Sequence, residues 1–143
     1  MTSKTAPSTL DLNSLRKAVQ DEYRVVAENP ENGFHFHVGR AQIEILDYPD
    51  ELLEGIPEIA VESVAGTGNP FNIKPLEPGE NVVDIGSGAG IDSLIAARMV
   101  APDGQVVGVD MTESMLKKAN RAKEESGFEN VQFKYGFGED LPV

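Results

Sequence analysis

The stretch Val82-Val83-Asp84-Ile85-Gly86-Ser87-Gly88-Ala89-Gly90 limits what the chain can fold into more than any other. A short run rich in β-branched residues reads as a strand, an acid sits near its end, and alternating glycines follow at once. Glycine reaches positive φ and carries no Cβ, so such a turn folds sharply and lets a ligand approach its backbone amides. Ile91 to Val100 reads as a helix, which sets the turn at a helix N-terminus, where free N–H groups face outwards. The stretch is therefore read as a cofactor cradle.

From Glu80 onwards the same texture repeats. Asn81 to Ile85 is the first strand, Pro102-Asp103-Gly104 turns the chain, and Gln105 to Val109 is a second strand, apolar enough to be buried on both faces of a parallel sheet. Thr112 reads as the N-cap of a helix whose inward face carries Met115, Leu116, Ala119 and Ala122, ended by Gly127. Val131 to Tyr135 is a third strand, after which Gly136 to Pro142 leaves the sheet. The pattern βαβαβ predicts an α/β fold, the first half of a doubly wound, Rossmann-like sheet.

The chain before this unit reads as small helices. Leu12, Leu15, Val19, Tyr23 and Val26 recur at helical spacing from Asp11 to Glu28 and predict one apolar face. The alternation of Gly33 to Arg40 would place His35 and His37 on one face if the segment were extended; two ligands without a cysteine are too few for a metal centre, and none is expected. Short helices follow over Ala41 to Leu46, Glu51 to Glu54 and Pro57 to Ala65, and the glycines and prolines of Gly66 to Gly79 break the chain. The expected division is an N-terminal helical or lid region, 1–78, and a cofactor-binding half-domain, 79–143.

With 24 acids against 12 bases the net charge is −12, and the averaged field repels phosphate backbones and anionic lipid, so neither nucleic acid nor a membrane is an expected partner. Met1 to Thr9 reads as a frayed polar tail with no apolar signal core, and a cytoplasmic protein is the default. There is no cysteine, hence no thiolate ligand or nucleophile.

Two cofactor classes use this unit. The dinucleotide fingerprint is G-x-G-x-x-G, but here Gly86, Gly88 and Gly90 alternate and Ile91 stands where its third glycine would. Asp84 is unhelpful beside a pyrophosphate and suits the ammonium of an amino-acid cofactor. Asp110, at the tip of the second strand, is placed to accept hydrogen bonds from ribose hydroxyls. These features favour S-adenosylmethionine over NAD and disfavour a nicotinamide oxidoreductase.

Val82 to Gly90 and Val107-Gly108-Val109-Asp110-Met111-Thr112 resemble the first two motifs of class I S-adenosylmethionine-dependent methyltransferases. Gly86 to Ala97 and Gly108 to Leu116, with Gly66 to Phe71 before and Phe137 to Leu141 after, are similar to the arsenite methyltransferase family. The resemblance implies that Asp84 and the backbone of Gly86, Ser87, Gly88 and Gly90 hold the methionine end of S-adenosyl-L-methionine and that Asp110 holds the ribose. It further implies that Met111 packs on the adenine, while the loop around Gly138 closes over it with Glu139 accepting from its amino group. It also places the family's first arsenic-binding cysteine on Thr67, a poor ligand for a soft centre. The fourth strand and those beyond it, with the family's other cysteines, would follow Val143.

The resulting expectation is an S-adenosylmethionine-dependent methyltransferase with an unassigned small-molecule acceptor and no identified catalytic base; the alternative is a truncated cofactor-binding or interaction module without turnover. His35, His37 and Arg40 are substrate-side candidates. Ending the sheet after three strands leaves the first strand unpaired on one side, and self-association through that edge is expected.

Overall fold

The computed structural model describes residues 11–143; the tail read over Met1 to Thr9 lies outside the described residues. Strands β1 (Val82–Ile85), β2 (Val106–Asp110) and β3 (Val131–Tyr135) form one parallel sheet in the order β1-β2-β3. Asp84 pairs with Gly108, and Gly108 with Phe133, across the sheet.

The two crossovers are α5 (Ile91–Val100) and α6 (Glu113–Ser126), the latter ending at Gly127 in the left-handed conformation. Both cover the same face. A Cβ on Gly108 would strike the Phe133 ring and Ser93 of α5, and one on Gly90 would strike Phe133 and Ala119 of α6. The opposite face carries Val83 and Ile85, which are 45% and 56% exposed. Exposure along β1 alternates rather than running continuously, so these residues are wet because their face is uncovered as well as because β1 ends the sheet.

The N-terminal residues form α1 (Leu12–Glu28), α2 (Arg40–Ile45), α3 (Asp50–Leu53) and α4 (Glu58–Val61), then a short 3-10 turn at Pro70–Asn72. Ile43, Tyr48, Ala60, Val61 and Val64 enter one buried cluster with Leu94, Ile95, Ala97, Val100 and Val106. Leu94 and Ile95 are wholly buried there, and truncating either to alanine costs about 2–5 kcal/mol.

Two features of this region go beyond what its periodicity reports. The apolar face of α1 is buried only at its C-terminal end, at Val26 and Ala27, whereas Leu12 is 68% and Leu15 46% exposed. The earlier turns lie over the tips of β2 and β3 and make polar contacts instead, with the Gln20 amide donating to the Met111 carbonyl at 2.8 Å. The Gly33 to Arg40 segment is irregular, not extended: the Phe34 and Phe36 rings stack at 5.5 Å, and Phe34 and Val38 pack on Val26, Ala27, Ala89 and Met115. Hydrophobic collapse onto α1 overrides the alternation and leaves His35 and His37 exposed.

Candidate functional site

The glycine turn is pinned to the sheet by its own backbone. Gly86 N and Ser87 N both donate to the Val109 carbonyl, at 2.8 and 3.0 Å, which holds the turn against the end of β2. Gly86 and Gly88 have φ of +78° and +54°, and nothing lies within 4 Å of where a Cβ would stand on either. The turn is thus open on the side that faces a cavity of about 420 Å³ at the C-terminal ends of the strands. In an open α/β sheet this is where ligands bind.

One end of the cavity is built by β2 and β3. The Asp110 carboxylate accepts from Thr112 N at 2.8 Å and from Gly88 N at 2.9 Å, so it ties the tip of β2 to the glycine turn while lining the cavity. Met111, Phe137, Gly138 and Glu139 line the same end, and Tyr23 of α1 reaches it. Arg16 of α1 pairs with Glu139, and its guanidinium lies 4.4 Å from the centre of the Phe137 ring.

The other end is built by the glycine turn, α5 and the N-terminal helices. Tyr48, Ser63, Thr67, Ser87 and Asp92 line it. The Tyr48 hydroxyl donates to Asp92 Oδ1 at 2.6 Å. Burial pushes the Asp92 carboxyl up to about 6, against the opposing effect of the Tyr48 hydrogen bond; burial and the neighbouring Asp92 raise the Tyr48 phenol as well. Ser87 Oγ is sealed from water and has no hydrogen-bond partner among the described residues. A buried hydroxyl without a partner costs about 1–3 kcal/mol, so its place on the cavity wall marks a position that a ligand can satisfy.

Of the residues expected in the site, Gly86, Ser87, Gly88, Asp110, Met111, Gly138 and Glu139 line this one cavity. Asp84 and Gly90 stand behind its wall. Asp84 Oδ2 accepts from Ser93 Oγ at 2.6 Å, and burial raises its carboxyl, with the Ser93 hydrogen bond opposing. Gly90, at φ +93°, lets α5 and α6 close on Phe133. His35, His37 and Arg40 do not line the cavity, and Arg40 is taken up by Glu58 at 2.5 Å. Among the described residues no group of three or more His, Cys, Asp or Glu is placed to hold a metal ion.

Sequence reasoning missed Tyr48, Asp92, Arg16 and Gln20. Asp92 did carry a signal, since an acid in the first turn of a helix that opens on a glycine turn faces the same space as the turn's amides. Among the described residues the charged side chains lining the cavity are Asp92, Asp110 and Glu139, and no Lys, Arg or His lines it. Such a wall suits a ligand with cationic groups and opposes a pyrophosphate.

Residues 76–143 match the family model described as a methyltransferase domain. A curated arsenite methyltransferase of Halobacterium salinarum is 49% identical over 78 residues, covering 54% of this chain and 20% of that protein. A demethylmenaquinone methyltransferase of Symbiobacterium thermophilum is 38% identical over 66 residues, covering 46% of this chain and 26% of that protein. The chain thus spans about a fifth to a quarter of the length of these relatives. The structure of Haemonchus contortus phosphoethanolamine N-methyltransferase 1, in complex with phosphoethanolamine and S-adenosylhomocysteine, superposes with a TM-score of 0.61 over 94% of this chain and 24% of that one. At 16% identity that likeness is one of fold.

Residues 76–143, which match a methyltransferase domain, thus fold as a three-stranded parallel, Rossmann-like half-sheet whose glycine turn lines the cavity. Beside that match, the chain is similar to the arsenite methyltransferase of Halobacterium salinarum over about half of its own length. The orphaned Ser87 hydroxyl, the open side of Gly86 and Gly88 and the all-acidic wall fit S-adenosylmethionine, whose sulfonium and ammonium outweigh its one carboxylate.

Proposed function

We propose that residues 79–143 hold S-adenosylmethionine for methyl transfer to a small-molecule acceptor, and that residues 1–78 cover the cofactor. When bound, the cofactor supplies an electrophilic methyl carbon. The contribution of this chain is to fix that carbon's position and keep water from it, because an in-line displacement gains most from alignment. Gly86, Ser87 and Gly88 receive the methionine end, Asp110 the ribose, and Met111 and Phe137 the faces of the adenine, with Glu139 and Gly138 at its edge. Asp84 acts from behind by bracing α5 through Ser93.

The observation that carries this reading is the all-acidic wall beside the orphaned Ser87 hydroxyl. Calorimetric titration with S-adenosylhomocysteine, S-adenosylmethionine and NAD tests it: the first two bind and NAD does not. Saturable NAD binding, or no heat with either adenosyl ligand, would end the proposal.

Arsenite-like chemistry is the finer reading that the resemblance supports, and it is weakened by Thr67, a hydroxyl on the cavity wall at the position of the family's first arsenic-binding cysteine. The open face and edge of β1 support a second reading, in which this chain is a cofactor-binding module that turns over nothing alone and associates through Val83 and Ile85. Light scattering at micromolar concentration is expected to show that association. A monomer would remove it.

A further inference from the structure

Three carboxylates lie close to the glycine turn, and their surroundings differ in what they leave free. Asp110 has each oxygen on a backbone N–H, one of them in the turn itself. Asp84, whose charge suits the ammonium and which the resemblance assigns to the methionine end, has Oδ2 on Ser93 and Oδ1 without a partner among the described residues, but it does not line the cavity. Asp92 does line it. Its Oδ1 is held by Tyr48 at 2.6 Å, and its Oδ2 has no hydrogen-bond partner among the described residues.

Resting on the reading of this cavity as an S-adenosylmethionine site, we infer that Asp92, oriented by Tyr48, is the acid that takes the cofactor's α-ammonium, and that Asp84 is not. A partly buried carboxylate with one oxygen tied down and the other facing a cavity has its attractive direction fixed before a ligand arrives. Among the described residues no cationic side chain lines that cavity, so the ammonium is the charge that compensates Asp92. The second polar group at this end is the Ser87 hydroxyl, which belongs to a 93%-buried residue, lines the same wall and has no partner among the described residues. It is a donor for the carboxylate that accompanies the ammonium on the same α-carbon. Tyr48 thereby becomes a positioning residue: it touches Asp92 and, at 3.4 Å, the Gly68 carbonyl, and so couples the loop that carries Thr67 to the amino-acid end of the cofactor.

The test uses two ligands that differ only in the group at issue. S-Adenosylhomocysteine carries the amino-acid end, and 5′-methylthioadenosine lacks it. Asp92→Asn is expected to weaken S-adenosylhomocysteine by about 10- to 100-fold, the range for losing a charge-assisted hydrogen bond, and methylthioadenosine by less than about 3-fold. Tyr48→Phe is expected to reproduce the same selectivity at smaller amplitude. Asp84→Asn is expected to change both ligands in the same proportion.

Equal loss of both ligands in Asp92→Asn would show a merely structural role and overturn the inference. Unchanged S-adenosylhomocysteine affinity would also overturn it and leave the cofactor assignment standing. A wild-type chain that binds neither ligand would instead remove the cofactor assignment beneath it. If Asp92→Asn does not fold, the wild-type chain decides with deaminated S-adenosylhomocysteine: affinity equal to that of the parent ligand overturns the inference, and a loss of about 10-fold or more supports it.

Discussion

The two ends of the cavity are built on different terms. At the Asp110 end the polar groups already satisfy one another, carboxylate to backbone and guanidinium to carboxylate, before any ligand is present. At the Asp92 end, Asp92 Oδ2 and Ser87 Oγ are left without protein partners among the described residues. A ligand entering the first end joins an organised network and shares its acceptors. At the second end it removes a desolvation penalty. Asp110 should therefore be costly to remove for both folding and binding, whereas Asp92 should lower the stability of the ligand-free chain and matter chiefly once a cation is bound.

The sharpest way to break this contrast is Asp110→Ala. It deletes the acceptor of two backbone N–H groups and loosens the turn that Gly88 belongs to, so S-adenosylhomocysteine affinity is expected to fall by about 2–3 kcal/mol and stability by about 1–2 kcal/mol. Calorimetry and denaturant melts measure the two losses. Unchanged binding would take Asp110 out of the site, and a binding loss without any loss of stability would show that the network is not organised in advance.

A smaller effect separates the ends by pH. Asp92 titrates at about 6 in the folded chain against 3.8 for a free carboxyl, with Tyr48 and Asp84 the titratable groups facing it. Between those values the native state keeps a proton that the unfolded state has released, so the native state binds more protons and stability falls as pH rises from about 4 to about 6. Asp84 is shifted in the same direction by burial. Subtracting the Asp92→Asn profile isolates one group: the wild type is expected to lose about 1–3 kcal/mol relative to the variant across that window. Parallel profiles would mean that Asp92 is not desolvated. With S-adenosylhomocysteine bound, the difference should shrink, since a neighbouring ammonium favours the ionised carboxylate.

What the sequence revealed follows the range of the physics. The turn Gly86 to Gly90, the strand tips and the Thr112 and Gly127 ends of α6 depend on local backbone chemistry and are legible from a few neighbouring residues, although the Thr112 side chain makes no capping hydrogen bond. Tyr48 and Asp92 are 44 positions apart and meet only because α2, α3 and α5 share a core, which no local pattern reports. The apolar spacing of α1 correctly gives a helix, but periodicity says where the apolar residues point and not what covers them; Leu12 and Leu15 stay wet while Arg16 and Gln20 make the contacts. Asp84 was legible as an acid at a strand end, yet whether its carboxylate faces the cavity or Ser93 depends on how α5 packs.

The smallest effect lies where α1 crosses the first end. Arg16 and Glu139 are 33% and 62% exposed, and a pair at that exposure contributes about 0–1 kcal/mol to stability. The guanidinium over Phe137 adds about 0.5–1 kcal/mol. Arg16→Ala is therefore expected to leave the melting transition almost unchanged, because Val26 and Ala27 still anchor the other end of α1. Its effect should appear in ligand release. Phe137 and Glu139 line the cavity where the adenine is proposed to lie, and α1 holds their outer sides through Arg16 while Gln20 holds Met111. Without Arg16 the loop after β3 loses its link to α1, and S-adenosylhomocysteine is expected to dissociate about 2- to 5-fold faster, a difference that narrows with added salt as the ion pair is screened. Stopped-flow displacement at low and high ionic strength reads both effects. Slower release in the variant would mean that Arg16 competes with the ligand for Glu139, and α1 would then be a barrier to the adenine end instead of its cover.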